Sequence, residues 1–168
     1  MKGKWATGIE PRNFVWVIKD RLAACERPGG YARNHRRIRR QEEIIWIRNG
    51  GFTRVISLLP SPHNLHAYDE LGVTWEHLPF PPHAEARAML ADLYPRIRGW
   101  LAHGEKLLLH QEELGDIVVG VLAGYLVYAG MIPAGPQAIA ILEELTHRPL
   151  GPPGRELVAV AAELAASG

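Results

Sequence analysis

The sequence predicts an α/β fold with a central, mostly parallel sheet flanked by helices on both faces. Three observations lead there. Short apolar runs alternate with longer segments of helical periodicity along most of the chain. The runs VISLL and KLLL are apolar without alternation, as strands covered on both faces are. The length of 168 residues suits one domain, 1–168, and 47% hydrophobic with 22% charged residues is the ordinary globular range.

Each element follows from its own pattern. NFVWVIKDRLAAC opens on β-branched and aromatic residues and predicts a first strand or hairpin. After the Pro28-Gly29-Gly30 turn, a helix runs from about Asn34, as N-cap, to Arg48. Ile38, Ile44, Ile45 and Ile47 supply its apolar side, and Asn49-Gly50-Gly51 ends it. FTRVISLLP predicts a buried strand, HNLHAYDELG a short helix ending at Gly72, and VTWEHLPF an alternating strand nearer an edge. Residues 84–103 carry Met89, Leu90, Leu93, Ile97, Trp100 and Leu101 at helical spacing, with Pro95 as an expected bend and Trp100 expected to be largely buried. EKLLLH predicts a central buried strand, and residues 115–128 a very apolar helix. Two more helices are expected over about 136–146 and 153–166.

Several function classes are excluded at once. The single cysteine, Cys25, permits neither a disulfide framework nor a cysteine zinc site within one chain. The opening MKGKWATG lacks the apolar stretch of a secretory signal, so a cytoplasmic location is expected. Residues 117–132 carry no charge, but Gly120, Gly124, Gly130 and the following Pro133 interrupt them. They fall short of the roughly 20 apolar residues of a membrane span, so no membrane association is expected.

The net charge of +1 hides an asymmetry. Residues 1–54 hold 13 Lys/Arg against 5 Asp/Glu, whereas residues 107–147 hold five acids and no Lys or Arg. Arg27, Arg33, Arg36, Arg37, Arg39 and Arg40 crowd together, a pattern that can recognise phosphate or nucleic acid. The plainer reading is a solvated helix face, with Arg39 or Arg40 paired to Glu43. Tyr31 and Trp46 are not interleaved with the arginines as a base-stacking platform requires.

In parallel sheets ligands bind beyond the carboxyl ends of the strands, which singles out residues 60–64, 81–83 and 110–116. His63, His83, Glu112 and Glu113 are the acid/base candidates there. Asn64, His110, Gln111, Gly115, Asp116 and Ile117 are the candidate ligand contacts. His63 and His66 stand one helical turn apart, but no metal or other cofactor is expected from so sparse a pattern.

The order of these elements, the segment Gly72-Val73-Thr74-Trp75-Glu76-His77-Leu78-Pro79 and the strand ending in His110 before a loop and helix resemble the dual-specificity (protein-tyrosine) phosphatase superfamily over residues 13–157. The resemblance implies that fold and a catalytic loop of His-Cys, five residues, then Arg. There a helix-terminus thiolate attacks phosphorus, an arginine binds the phosphoryl oxygens and a nearby aspartic acid protonates the leaving group. It also implies a structural role for His110. Yet Gln111 stands at the nucleophile's position and Ile117 at the arginine's, and residues 107–130 contain no Cys, Arg or Lys. Pro79-Phe80-Pro81-Pro82-His83 offers no aspartate. Glu112, Glu113 and Asp116 oppose a phosphate instead: two unit charges about 4 Å apart repel by roughly 1 kcal/mol in water and about 4 kcal/mol at an effective dielectric of 20.

The expected function is therefore a catalytically degenerate phosphatase-like protein that binds a small molecule or protein partner in the former phosphatase cleft. One alternative is an enzyme that uses the His and Glu candidates on a neutral or cationic substrate. Another is a nucleic-acid-binding module working through the Arg27–Arg40 cluster.

Overall fold

The computed structural model describes residues 8–29, 37–62 and 64–167, which fall into two compact units. The first holds the residues up to Pro79 and Glu105–Leu114; the second holds Phe80–Gly104 and the residues from Gly115 onward.

All five strands among the described residues lie in the first unit. β1 (Val15–Ile18) and β2 (Leu22–Glu26) form an antiparallel hairpin, its turn carrying Asp20 at φ 62°, a left-handed conformation that a short polar residue tolerates. α1 (Arg37–Asn49) follows, then β3 (Arg54–Ser57), α2 (His66–Glu70) and β4 (Trp75–His77). β5 (Leu107–Gln111) completes the sheet. The strand order is β1-β2-β5-β3-β4, and every pair except the hairpin is parallel. The run LLL of β5 is completely buried because β5 is the central strand, whereas β4, at the edge, is half-buried throughout. The sequence's α/β fold with a mostly parallel central sheet is what the chain adopts.

The parallel register sets the carboxyl end of the sheet. Cys25 and Ser57 flank His110 on the neighbouring strands, and Glu26 pairs with Gln111. Beneath the hairpin, Phe14, Trp16, Trp46 and Phe52 pack as an aromatic group, with Trp16 and Phe52 stacked at 5.4 Å. Lys106 Nζ lies 5.1 Å from the Trp16 ring centre and donates a hydrogen bond to the Gly50 carbonyl at 2.6 Å. Arg54 bridges Glu105 at 2.9 Å and Glu76 at 2.5 Å across the amino ends of β3 and β4.

The second unit is helical. A single 3-10 turn, His83–Glu85, leads into α3 (Ala86–Ala102), which runs on past Pro95. α4 (Asp116–Tyr128), α5 (Gly135–Thr146) and α6 (Pro152–Ser167) follow. Residues 118–127 of α4 are all buried, which explains its lack of a polar face. α4 packs chiefly on α6, so closely that a Cβ on Gly120 would lie 2.7 Å from the Gly154 Cα. No helix among the described residues is long and apolar enough to cross a membrane.

Three local expectations need correction or fall outside view. Ile38 is 70% exposed, because it projects from the side of α1 opposite the buried Glu43, Ile44 and Ile47. Trp100 is half-buried rather than buried; it sits at the rim of α3, where the Arg96 guanidinium covers its ring at 5.3 Å. The expected N-cap Asn34, with Arg33 and Arg36, lies outside the described residues.

Candidate functional site

His110 ends the buried part of β5 and is 2% exposed. Its Nε2 lies 3.2 Å from the Tyr68 hydroxyl of α2. Burial raises the Tyr68 pKa, so the phenol stays protonated and shares one proton-mediated hydrogen bond with Nε2. Nδ1 has no well-formed hydrogen bond among the described residues, although the Gln111 backbone is near enough to favour protonation. Burial outweighs that help and pushes the His110 pKa down to about 4, with Arg27 contributing repulsion. The ring is neutral at physiological pH.

Two further titratable groups lie near this position. Cys25, on β2 beside His110, is fully buried, and burial first, then the carboxylates of Glu43 and Glu26, push its thiol well up. Such a thiol is poorly nucleophilic. Glu43 is 1% exposed. Its Oε2 accepts hydrogen bonds from the Gly29 amide at 3.1 Å and from Arg39 Nε at 2.9 Å. Burial raises its pKa, while Gly29 and Arg39 counteract. Arg39 therefore pairs within α1, as the plainer sequence reading expects.

The carboxyl end of the sheet opens onto two separate hollows within this unit. One is a narrow cavity of about 20 Å³, room for about one water molecule. Arg27, Arg40, Asn64, Tyr68 and His110 supply its polar lining, with Ile44 and Leu59 among its apolar walls. Asn64 adopts φ 69°, which positions it at the entry to α2. The other is an open recess of about 380 Å³ bordered by Pro60, Gln111, Glu112 and Glu113. Glu112 and Glu113 are exposed there and Gln111 is half-buried. The predicted site is thus divided: Asn64 and His110 share one hollow, and Gln111 with both glutamates shares the other. His77 donates from Nε2 to the Leu59 carbonyl at 2.7 Å and fixes the chain leaving β3 between them.

The remaining candidates fall elsewhere. His63 lies outside the described residues, and its neighbour His66 is exposed, 3.4 Å from Asp69. In the helical unit, Gly115 is the extended, buried N-cap of α4, and Ile117 is half-buried in its first turn. Asp116 caps nothing on its own helix. Its Oδ1 accepts the Gly151 amide at 3.2 Å and so ties the start of α4 to the turn before α6. His83 is 77% exposed, with Nδ1 3.3 Å from Glu156 on α6. Among the described residues, no three His, Cys, Asp or Glu side chains converge as a metal site.

Sequence reasoning passes over Tyr68 and Leu59 as wall residues and places Arg27 and Arg40 only in a charge cluster. A tyrosine in a short helix gives no period by which to foresee its contact with a strand 42 residues away.

No protein-family model and no curated protein matches the chain. Solved structures do. A kinase-associated phosphatase with serine at its catalytic cysteine is 21% identical, at a TM-score of 0.74, over 93% of this chain and 97% of that one. Tk-PTP in its active form is 17% identical, at 0.71, over 90% and 97%. A human tyrosine phosphatase-like serine/threonine/tyrosine-interacting protein is 15% identical, at 0.67, over 92% and 96%. Likeness across nearly the whole of both chains, with the strand order described above, gives this protein the fold of the dual-specificity and protein-tyrosine phosphatases.

Proposed function

We propose that the chain is a cytoplasmic, single-domain, non-hydrolytic form of the phosphatase fold: a binding or regulatory module whose loop takes a small molecule or a protein side chain. One observation carries the reading. The recess beside Gln111 presents the carboxylates of Glu112 and Glu113 and neither a thiol nor a guanidinium. A phosphate dianion there meets repulsion, whereas a cationic or hydrogen-bond-donating group meets attraction. The protein's one thiol, Cys25, supports the same reading, because it is buried with a raised pKa inside β2.

The test is hydrolysis of p-nitrophenyl phosphate by the full chain, with acid-quench trapping of any phosphocysteine. The expectation is no turnover and no trapped phosphorus. Turnover that accompanies a trapped phosphocysteine, and that a folded Cys25→Ala variant loses, overturns the proposal.

A further inference from the structure

The edge of the sheet carries backbone groups that the loop does not use. β4 ends the strand order and pairs only with β3 among the described residues. The Val55 amide donates to the Thr74 carbonyl and the Leu78 amide to the Ser57 carbonyl, both at 2.9 Å. In a parallel ladder alternate residues face the same neighbour, so Thr74, Glu76 and Leu78 turn their backbone groups to β3. Trp75 and His77 turn theirs away, and neither backbone has a partner among the described residues. Two amides and two carbonyls therefore stand open, a template for an added strand.

A recess of about 480 Å³ lies at the start of this edge, lined by Asp69, Gly72, Val73, Thr74 and Trp75. Its one charged wall is Asp69, whose side chain is 60% exposed. The carboxylate is held in place: Oδ1 accepts the Trp75 indole N–H at 2.9 Å, and Oδ2 lies 3.4 Å from His66 Nδ1. Each oxygen keeps a lone pair for a further donor. No Lys or Arg lines the recess, and residues 55–79, which run from β3 through β4, hold three acids and no Lys or Arg. Of the other two acids, Glu76 points to the opposite face of the sheet, where Arg54 bridges it, and Glu70 lines a different hollow with Arg40. A carboxylate beside an indole suits a Lys or Arg side chain, which gains a charge-assisted hydrogen bond from the first and cation–π attraction from the second. The open ladder and the recess are aligned. On a strand added beside β4, the residue opposite Trp75 directs its side chain to the same face as Trp75, where Asp69 meets the indole.

We propose that the β4 edge binds an extended segment of a partner protein, which pairs with the backbone of Trp75 and His77 and places a Lys or Arg side chain in the recess at Asp69. The inference is independent of the reading of the loop, since this edge and the recess of Gln111, Glu112 and Glu113 share no lining residue.

The experiment titrates the isotope-labelled full chain with a short Thr-rich peptide carrying one central Lys, following amide shifts and amide exchange; threonine favours the extended state. Binding is expected at millimolar affinity or tighter. Its signature alternates: the Trp75 and His77 amides shift and exchange more slowly, while the Glu76 amide, already turned to β3, changes little. Two further copies of the peptide are methylated at one or the other set of alternate backbone nitrogens. One of the two should bind about tenfold more weakly, because only one set faces the edge. Asp69→Asn should lose severalfold for the Lys peptide and nothing for a peptide with Leu in place of Lys. Asp69 is exposed, so this variant is expected to fold, and the methylated peptides test the edge without altering the protein. No shift at about 10 mM peptide, weaker than any specific affinity, overturns the proposal. So do equal changes at Glu76, shifts centred on residues 111–117, or equal binding by both methylated copies. Protection of the Trp75 and His77 amides that grows with the concentration of the protein alone also overturns it, because the occupant is then a second copy of this chain.

Discussion

Replacing His110 with glutamine tests how the base of the loop is held, and its signature is a change in pH dependence. The imidazole titrates near 4 in the folded chain against an ordinary value of 6.5. Between those values the unfolded chain binds the proton and the folded chain does not, so unfolding gains as pH falls. The sign is fixed: the stability conferred by the neutral buried ring is fully present above about 6.5, shrinks through that window and is gone below about 4. A depression of about 2.5 units corresponds to about 3 kcal/mol in total at 1.36 kcal/mol per unit, of which about 2 kcal/mol disappears between pH 7 and pH 5. Urea unfolding of the wild type and of His110→Gln at both pH values isolates this contribution, because the two proteins differ only at residue 110. With a urea slope of about 2 kcal/mol/M, the wild-type midpoint should fall about 1 M further than the variant's over that range. If the two proteins lose stability in parallel, to within about 0.5 kcal/mol, the ring is not held neutral by burial and the account of the Tyr68–His110 contact is wrong.

Two glycines in helix interiors should respond in opposite directions. Gly120→Ala forces a methyl onto the Gly154 backbone, an overpacking cost of about 1–3 kcal/mol that exceeds the gain of about 1 kcal/mol in helix propensity, so the melting temperature falls. Gly99→Ala, with nothing within 4 Å of the new methyl, should instead raise stability by about 0.5–1 kcal/mol in thermal melts. At the loop, Gln111→Cys introduces a thiol next to two exposed carboxylates; the pH profile of its alkylation by iodoacetamide should have its midpoint at or above about 8.5, and a midpoint near 6 refutes the electrostatic reading of the recess.

The elements of the fold were legible because their periods differ. KLLLH and VISLL have no polar alternation, and they became the two innermost parallel strands, where neither face meets water. The amphipathic spacing of residues 84–103 and the uninterrupted apolar run after Asp116 likewise became α3 and α4. Ile38 shows where that logic stops. An isoleucine in a basic helix looks like part of the apolar face, but with only a few apolar residues in α1 the helix's rotation is set by what lies above it, and Glu43 was turned inward instead. The site was legible only in part, for a similar reason. Sequence order showed which loops leave the carboxyl ends of the strands, but the division into two hollows depends on side-chain directions. Gln111 and His110 are adjacent on a strand and so point to opposite faces, which is why one borders the wide recess while the other lines the narrow cavity.

That alternation also explains how one strand end serves two opposite electrostatic environments. On the His110 face, α1 and α2 bring Arg40 and Tyr68, and the chain leaving β2 brings Arg27, into a narrow space, and burial keeps the imidazole neutral so that it adds no further positive charge. On the Gln111 face, the chain passes directly into Glu112 and Glu113, with solvent close enough to screen them. A phosphatase loop needs its cation on the second of these faces, next to the nucleophile. Here the guanidiniums lie on the first, where burial first, then the carboxylates of Glu43 and Glu26, push the Cys25 thiol well up. Positive charge and open access are therefore separated across β5. The groups of positive charge and the place where a nucleophile would stand therefore face different ways.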